Sequence, residues 1–187
     1  MAKKLLIIPG HGAGDSGAVG GGKTEAALVR QLATRMKAYG GSRVKRTAYN
    51  RNYYEDYGVA HFSKEEYPPS EWRIVELHMD ASNTNGQAHG AHTVNHSKRT
   101  KAAKRIAKRL SKLLPGRSEI CQLDSGLRNP RYGEQRGYDY TLVEIGFIDN
   151  KHDREYVLAN MDKVAKAILK GCYIKPRLKP LNVKCPW

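Results

Sequence analysis

The chain has 187 residues, 40% of them hydrophobic, which is enough to bury one core with a short tail but not two independent domains. Its 33 Lys and Arg against 18 Asp and Glu give a net charge of +15, a surface that attracts polyanions: nucleic acid, anionic lipid or the anionic polymers of a bacterial wall. Three widely spaced cysteines, Cys121, Cys172 and Cys185, exclude a disulfide framework and paired zinc or redox motifs, and no apolar run reaches signal-sequence or membrane-spanning length.

The apolar run at 5–8, closed by Pro9 and Gly10, predicts a first strand. Ala27, Leu28, Leu32 and Met36 recur at helical spacing and predict a helix over 24–39, stopped by Gly40 and Gly41. A weak strand is expected over 43–48. The polar, Tyr-rich stretch 50–70, broken by Pro68 and Pro69, predicts a long surface loop. Residues 72–82 read as a second clear strand and 86–96 as another loop. A second helix over 98–114 carries Ala103, Ile106, Ala107, Leu110, Leu113 and Leu114 on one stripe and only basic residues opposite. Residues 140–150 form the most hydrophobic strand, and short helices around 153–159 and 161–169 follow. Strands separated by helices imply an α/β fold: a mostly parallel twisted sheet with helices on both faces. The expected domain is 1–173. The Pro- and Lys-rich stretch 174–187 reads as a linker-like tail.

In such sheets, sites form at the carboxyl ends of the strands. His11 lies just past the first strand, His78 toward the end of the second, Glu144 inside the most hydrophobic one, and Glu25 opens the first helix. Two imidazoles and a carboxylate make a facial ligand set for zinc with one position left for water, and a further carboxylate nearby can act as base. Taken singly, His11 also reads as a loop histidine, His78 as a core histidine and Glu25 as a first-turn acid favoured by the helix dipole. Glu144 resists a purely structural account, because burying a carboxylate in an apolar strand is costly without a partner.

The segments PGHGAGDSGAVG followed by TE, ELHMDAS, and VEIGFIDNKHDRE resemble the zinc-dependent N-acetylmuramoyl-L-alanine amidases of the amidase 3 type, over roughly 4–169. That family includes bacterial wall hydrolases and many phage endolysins. The resemblance implies that His11, Glu25 and His78 hold zinc (Zn2+) at the carboxyl ends of the strands and that Glu144 is catalytic. The substrate it implies is peptidoglycan, cut between N-acetylmuramic acid and the L-alanine of the stem peptide by zinc-activated water. Asp15, Asp80 and His92 are further candidates, for orienting the ligands or touching substrate. The stretch SGLRNPRYGEQRG only loosely matches an element that the family carries between its second histidine and its glutamate. An endolysin made in the host cytoplasm without a signal peptide, and acting on the wall after release, is the expectation. A zinc peptidase acting on stem peptides, and a non-enzymatic basic module binding nucleic acid or wall, are the alternatives.

Residues 17–24 fit the Walker pattern G-x-x-x-x-G-K-[ST], but eight residues, 9–16, separate Gly17 from the strand that a phosphate-binding loop should leave directly, so no nucleotide is expected. His89, His92 and His96 form H-x-x-H-x-x-x-H, either a second metal site on a helical face or, as preferred, a polar loop beside the active site. The basic face of the 98–114 helix is either merely solvated or attracted to teichoic acids or anionic lipid. It lacks the base-stacking aromatics of a nucleic-acid surface, and neither nucleic acid nor stable membrane insertion is expected.

Overall fold

The structure, a computed structural model, describes residues 3–82 and 84–182, so Cys185 lies outside the described residues. In chain order the strands are β1 (Lys4–Pro9), β2 (Val19–Gly20), β3 (Lys23–Thr24), β4 (Val44–Arg46), β5 (Trp72–Asp80), β6 (His92–Asn95), β7 (Cys121–Leu123) and β8 (Asp139–Phe147). The helices are α1 (Glu25–Gly40), α2 (Lys101–Leu110), α3 (Arg128–Gln135), α4 (Lys151–Ala159) and α5 (Met161–Gly171). Six strands form one sheet in the order β4-β1-β5-β8-β6-β7. Parallel pairs join β1 to β4 and β5, β5 to β8, and β6 to β7, while β6 runs antiparallel to β8. The mostly parallel α/β sheet expected from the alternation of strands and helices is therefore present.

Side chains alternate across a strand, and the register divides the sheet into two faces of different character. Leu5, Ile7, Val75, Leu77, Val143 and Ile145 look toward α1, α2 and α5, where they join Leu28, Leu32, Ile106, Leu110, Val164 and Ile168 in the larger core. On the other face Leu6, Ile8, Ile74 and Tyr140 pack under Tyr53, Val59 and Phe62 from the long 47–71 connection. The same face carries Glu76, His78 and Glu144, because Glu76 pairs with Leu142 and His78 with Glu144 in the parallel β5–β8 register. Helices thus cover one face of the sheet and an aromatic loop with α3 covers the other.

Several boundaries differ from the sequence expectations. The stretch 86–96, expected as a loop, contains β6, whose four residues are all buried between β8 and β7. His, Thr and Asn in so short a strand hide the alternation that would reveal it. The histidines at 89, 92 and 96 therefore do not share a helical face. The stretch 125–137 contains α3, whose first turn includes Pro130, a residue tolerated there because the first N–H groups of a helix lack intrahelical partners. The 98–114 helix is shorter than expected: Thr100 caps it by accepting from the Ala103 N–H, and it ends at Leu110. The 50–70 connection includes a single 3₁₀ turn at Gly58–His61. Residues 17–24 form the β2–β3 hairpin, turned by Gly21 and Gly22 at φ of 54° and 70°, the left-handed pair a two-residue hairpin needs. Thr24 then caps α1 by accepting from the Ala27 N–H. After α5 the chain returns along the end of α1, where the Arg177 and Leu181 N–H groups donate to the Tyr39 and Ala38 carbonyls.

The carboxyl end of β8 is fastened by Asp153, a fully buried residue in the first turn of α4. Its Oδ2 accepts from the Gly90 N–H at 2.7 Å and the Phe147 N–H at 3.0 Å, joining the lead-in to β6 to the end of β8. Asp153→Ala leaves both donors unsatisfied, so at roughly 1–3 kcal/mol for each, the variant should lose about 2–6 kcal/mol in urea unfolding. The exposed Lys151→Ala in the same helix should stay within about 0.5 kcal/mol of the parent, and equal losses for the two would refute the role given to Asp153.

Candidate active site

The loop leaving β1 puts His11 in the left-handed region at φ 60°, and Ala13 follows at φ 51°. Non-glycine residues adopt this conformation at a cost and persist there only when the surroundings hold them. The holder is Arg30, buried on α1. Its Nη1 donates to the Gly10 carbonyl at 2.9 Å, its Nη2 to the His11 carbonyl at 2.7 Å and its Nε to the Tyr49 carbonyl at 2.9 Å. One planar guanidinium thereby sets the backbone under His11 and ties it to the segment after β4. Gly17 lies across the result: a Cβ there would sit 2.6 Å from the His11 ring and 2.7 Å from Glu25 Oε2.

Glu25, the first residue of α1, reaches over the ends of β1 and β5. Its Oε1 accepts from His78 Nδ1 at 2.9 Å and from the Met79 N–H at 3.0 Å. Its Oε2 lies 3.0 Å from His11 Nε2 and accepts from the Ala18 N–H at 3.1 Å. The two imidazoles meet edge to face with centroids 5.0 Å apart. Each ring is held at its far nitrogen by a second carboxylate. Asp15 Oδ2 lies 2.7 Å from His11 Nδ1, itself fixed by the Asn52 amide at 2.9 Å, and Glu76 Oε1 lies 3.4 Å from His78 Nε2. Carboxylates in that position set the tautomer and orientation of a ligating histidine.

These contacts govern the protonation of the cluster's own groups. Burial disfavours ionised Glu25, but hydrogen bonds and charge from His11 and His78 outweigh it and hold the carboxyl well below its ordinary range. Burial likewise opposes charging of both imidazoles, and Glu25, joined by Asp15 for His11 and Glu76 for His78, raises both. Glu76, buried in the middle of β5, is lowered against the desolvation by His78, the Tyr140 hydroxyl at 2.6 Å and the Asn129 amide at 2.8 Å. Glu144 behaves in the opposite way. Burial pushes it up to about 8, and its Oε2 has no hydrogen-bond partner among the described residues. One carboxyl oxygen is thus desolvated, unpaired and set beside His78.

One ligand atom each from His11, Glu25 and His78 lies within 4.8 Å of the others, a spacing that suits a single metal ion. The donor set fits a borderline cation such as zinc, which takes imidazole and carboxylate together. A cleft of about 370 Å³ opens beside His11 and His78, and Glu144 and Glu76 also line it. Its walls are Tyr54 and Glu55 from the long connection and Leu127, Arg128 and Pro130 from α3 and its lead-in. The Arg128 guanidinium lies 3.7 Å from the Tyr54 ring centroid and 4.1 Å from that of Tyr57, clamping the two walls together.

Of the positions singled out in the sequence, His11, Glu25, His78, Glu144 and Asp15 converge here. Asp80 and His92 do not line the cleft. His92 pairs with Glu144 across β6–β8, but its buried ring stacks near Phe147 and its Nε2 lies 3.8 Å from Asp80. Burial, followed by the charge of Arg117, lowers the His92 imidazole to about 4. The sequence reading passed over Glu76, Arg30 and Asn129. Glu76 had a usable signal, since it precedes His78 by two residues and shares its strand face. Arg30 and Asn129 carried none, because both matter through contacts distant in sequence.

The chain matches the N-acetylmuramoyl-L-alanine amidase family over residues 5–173. It is 27% identical over 196 residues to a probable autolysin of Staphylococcus aureus, an alignment covering 93% of this chain and 39% of that protein, so the chain spans about two fifths of this relative's length. Among solved structures it resembles an N-acetylmuramoyl-L-alanine amidase of Nostoc punctiforme, with a TM-score of 0.75 and 18% identity over 91% of this chain and 95% of that one. The catalytic domain of an endolysin targeting Clostridia difficile superposes with a TM-score of 0.71 and 21% identity, covering 92% of this chain and 98% of that one. At such identities the superpositions speak for the fold, and the match over 5–173 decides the family. The chain belongs to the N-acetylmuramoyl-L-alanine amidase family.

Proposed function

We propose that the chain hydrolyses the amide bond between N-acetylmuramic acid and the L-alanine of the peptidoglycan stem peptide, with zinc held by His11, Glu25 and His78. The observation that carries this reading is a two-imidazole, one-carboxylate cluster set beside a buried carboxyl whose Oε2 is unpaired, along an open cleft. Zinc, when bound, supplies a Lewis acid that polarises the scissile carbonyl and brings the pKa of a water toward neutrality. Asp15 and Glu76 keep the His11 and His78 rings oriented. Glu144 takes a proton from the water as its oxygen attacks the lactyl carbonyl carbon, then returns it to the alanine nitrogen as the carbon–nitrogen bond breaks. The unpaired Oε2 of Glu144, set beside His78, supports that role. Tyr54, Leu127, Arg128 and Pro130 are positioned to bind the glycopeptide on either side of the cut bond.

The catalytic unit we assign to residues 1–173, with 174–187 as a linker. Lysis of a host cell by a phage endolysin is the role we favour, supported by the fold shared with an endolysin catalytic domain. Wall turnover is the second reading, favoured by the autolysin relative.

Glu144→Gln keeps the size of the side chain but cannot accept a proton. The variant should retain one zinc per chain by elemental analysis while releasing alanine amino termini from purified wall about a hundred- to ten-thousand-fold more slowly. His11→Ala and His78→Ala should instead lose the metal. Zinc loss from Glu144→Gln, or near-normal turnover, would break the mechanism.

A second outcome concerns stability after zinc is stripped with a chelator. Glu144 is raised from 4.5 to about 8 in the folded chain, so between those values the unfolded chain binds fewer protons and stability falls as pH rises. Glu144→Gln removes that cost. The stripped variant should therefore melt above the stripped parent at pH 8, and the gap should close toward pH 4, where the parent carboxyl is protonated in both states. Identical melting temperatures across this range would mean that Glu144 is solvated in the folded chain.

A further inference from the structure

The face of the molecule opposite the cleft carries a second arrangement that hydrolysis does not use. Residues 97–118 contain nine Lys and Arg and no acidic residue. Tertiary packing gathers these cations with those of α5. A recess of about 250 Å³ is lined solely by Arg105, Lys108, Arg109 and Lys112. A neighbouring groove of about 330 Å³ runs between α2 and α5, sharing Arg109 and Lys112 and adding Lys163, Lys166 and Lys170 above Leu113 and Ala167. Among the described residues, none of Lys108, Arg109, Lys112, Lys163 and Lys170 forms an ion pair with a carboxylate. Cations packed this closely repel one another, a cost relieved when an anion enters.

We infer that the α2–α5 face is a docking groove for a phosphate-bearing anionic wall polymer of the teichoic acid class. The identification of the wall as partner rests on the proposed substrate. A bilayer fits this face poorly. A helix that lies in a membrane must offer apolar side chains for insertion, and here Ala103, Ile106, Ala107 and Leu110 are fully buried in the protein core. Tyr173, the large exposed ring at this face, is covered by the Arg105 guanidinium at 4.3 Å from its centroid. Among the described residues, this face therefore presents no bare aromatic platform for unstacked bases. What remains is a hydrated cationic channel with a narrow apolar floor, complementary to a flexible chain that alternates phosphates with short carbon segments. Glu76, His78 and Glu144 lie on the other side of the sheet, so a polymer bound here leaves the cleft open to the glycan strand.

The test compares the intact protein with a quadruple variant, Lys108→Gln, Arg109→Gln, Lys112→Gln and Lys163→Gln, none of which touches the cleft. Binding is measured by co-sedimentation with walls that carry teichoic acid, with the same walls after hydrogen fluoride extraction of that polymer, with phosphatidylglycerol vesicles and with duplex DNA. The parent should bind polymer-bearing walls about tenfold or more tighter than extracted walls at low salt, with the preference fading as screening shortens the reach of charge to about 8–10 Å. The variant should lose the preference yet hydrolyse a soluble muramyl peptide at the parental rate. Unchanged wall binding by the variant would overturn the assignment, as would a parent that binds extracted walls equally well or prefers vesicles or DNA. Absence of hydrolysis by both proteins would count against the proposed reaction alone, since the binding comparison does not depend on turnover.

Discussion

The carboxylate of Glu25 is the contact on which the rest of the site depends. It joins three segments far apart in sequence: the loop after β1 through His11 and Ala18, the end of β5 through His78 and Met79, and α1, of which it is the first residue. A helix N-terminus favours a negative charge, so the carboxylate sits where the backbone already stabilises it. The imidazoles it separates are each backed by another acid, Asp15 or Glu76. With Glu144 alongside, four carboxyl groups surround two histidines. Three of these acids, Glu25, Glu76 and Glu144, are withdrawn from water, which is costly unless protons or a cation balance them, and that imbalance gives the proposed zinc its electrostatic rationale.

Around this contact the protein stores strain and supports it. His11 occupies a backbone conformation that its side chain disfavours, and Arg30 spends its donors on the carbonyls that keep it there. Glu144 remains desolvated with an unpaired oxygen. Both are poor choices for stability. Both make sense where a ring must point at one place and a carboxyl must exchange a proton near neutral pH. Their cost is offset elsewhere, in two apolar cores and in the Asp153 clasp at the end of β8.

The sheet also separates two kinds of chemistry. One face, under the aromatic 47–71 connection and α3, holds acids and imidazoles in a cleft; the other, beneath α1, α2 and α5, is apolar against the sheet and cationic outside. The positive charge of the chain thus does not crowd the acidic site. Arg128 is the exception at the cleft wall, and its charge is spread against the Tyr54 and Tyr57 rings.

The amino-acid sequence alone determined the α/β alternation, the strands at β1, β5 and β8 and the helix opening at Glu25, because hydrophobic periodicity and capping residues are local signals. It also singled out His11, Glu25, His78 and Glu144 as a set, since each stands at the boundary or inside the end of a legible element. Tertiary structure decided the rest. β6 is a strand because β8 and β7 flank it, and HTVN lacks a pattern of its own. Residues 17–24 match a phosphate-loop pattern letter by letter, yet Gly21 and Gly22 turn a hairpin, a choice fixed by how the loop returns to α1. Arg30 and Asn129 act through partners 19 to 53 residues away. No local pattern encodes such contacts. The basic stripe of α2 was plain in the sequence, but whether its apolar side met a membrane or a core depended on α5 and the sheet, and burial of Ile106 and Leu110 against them settled it.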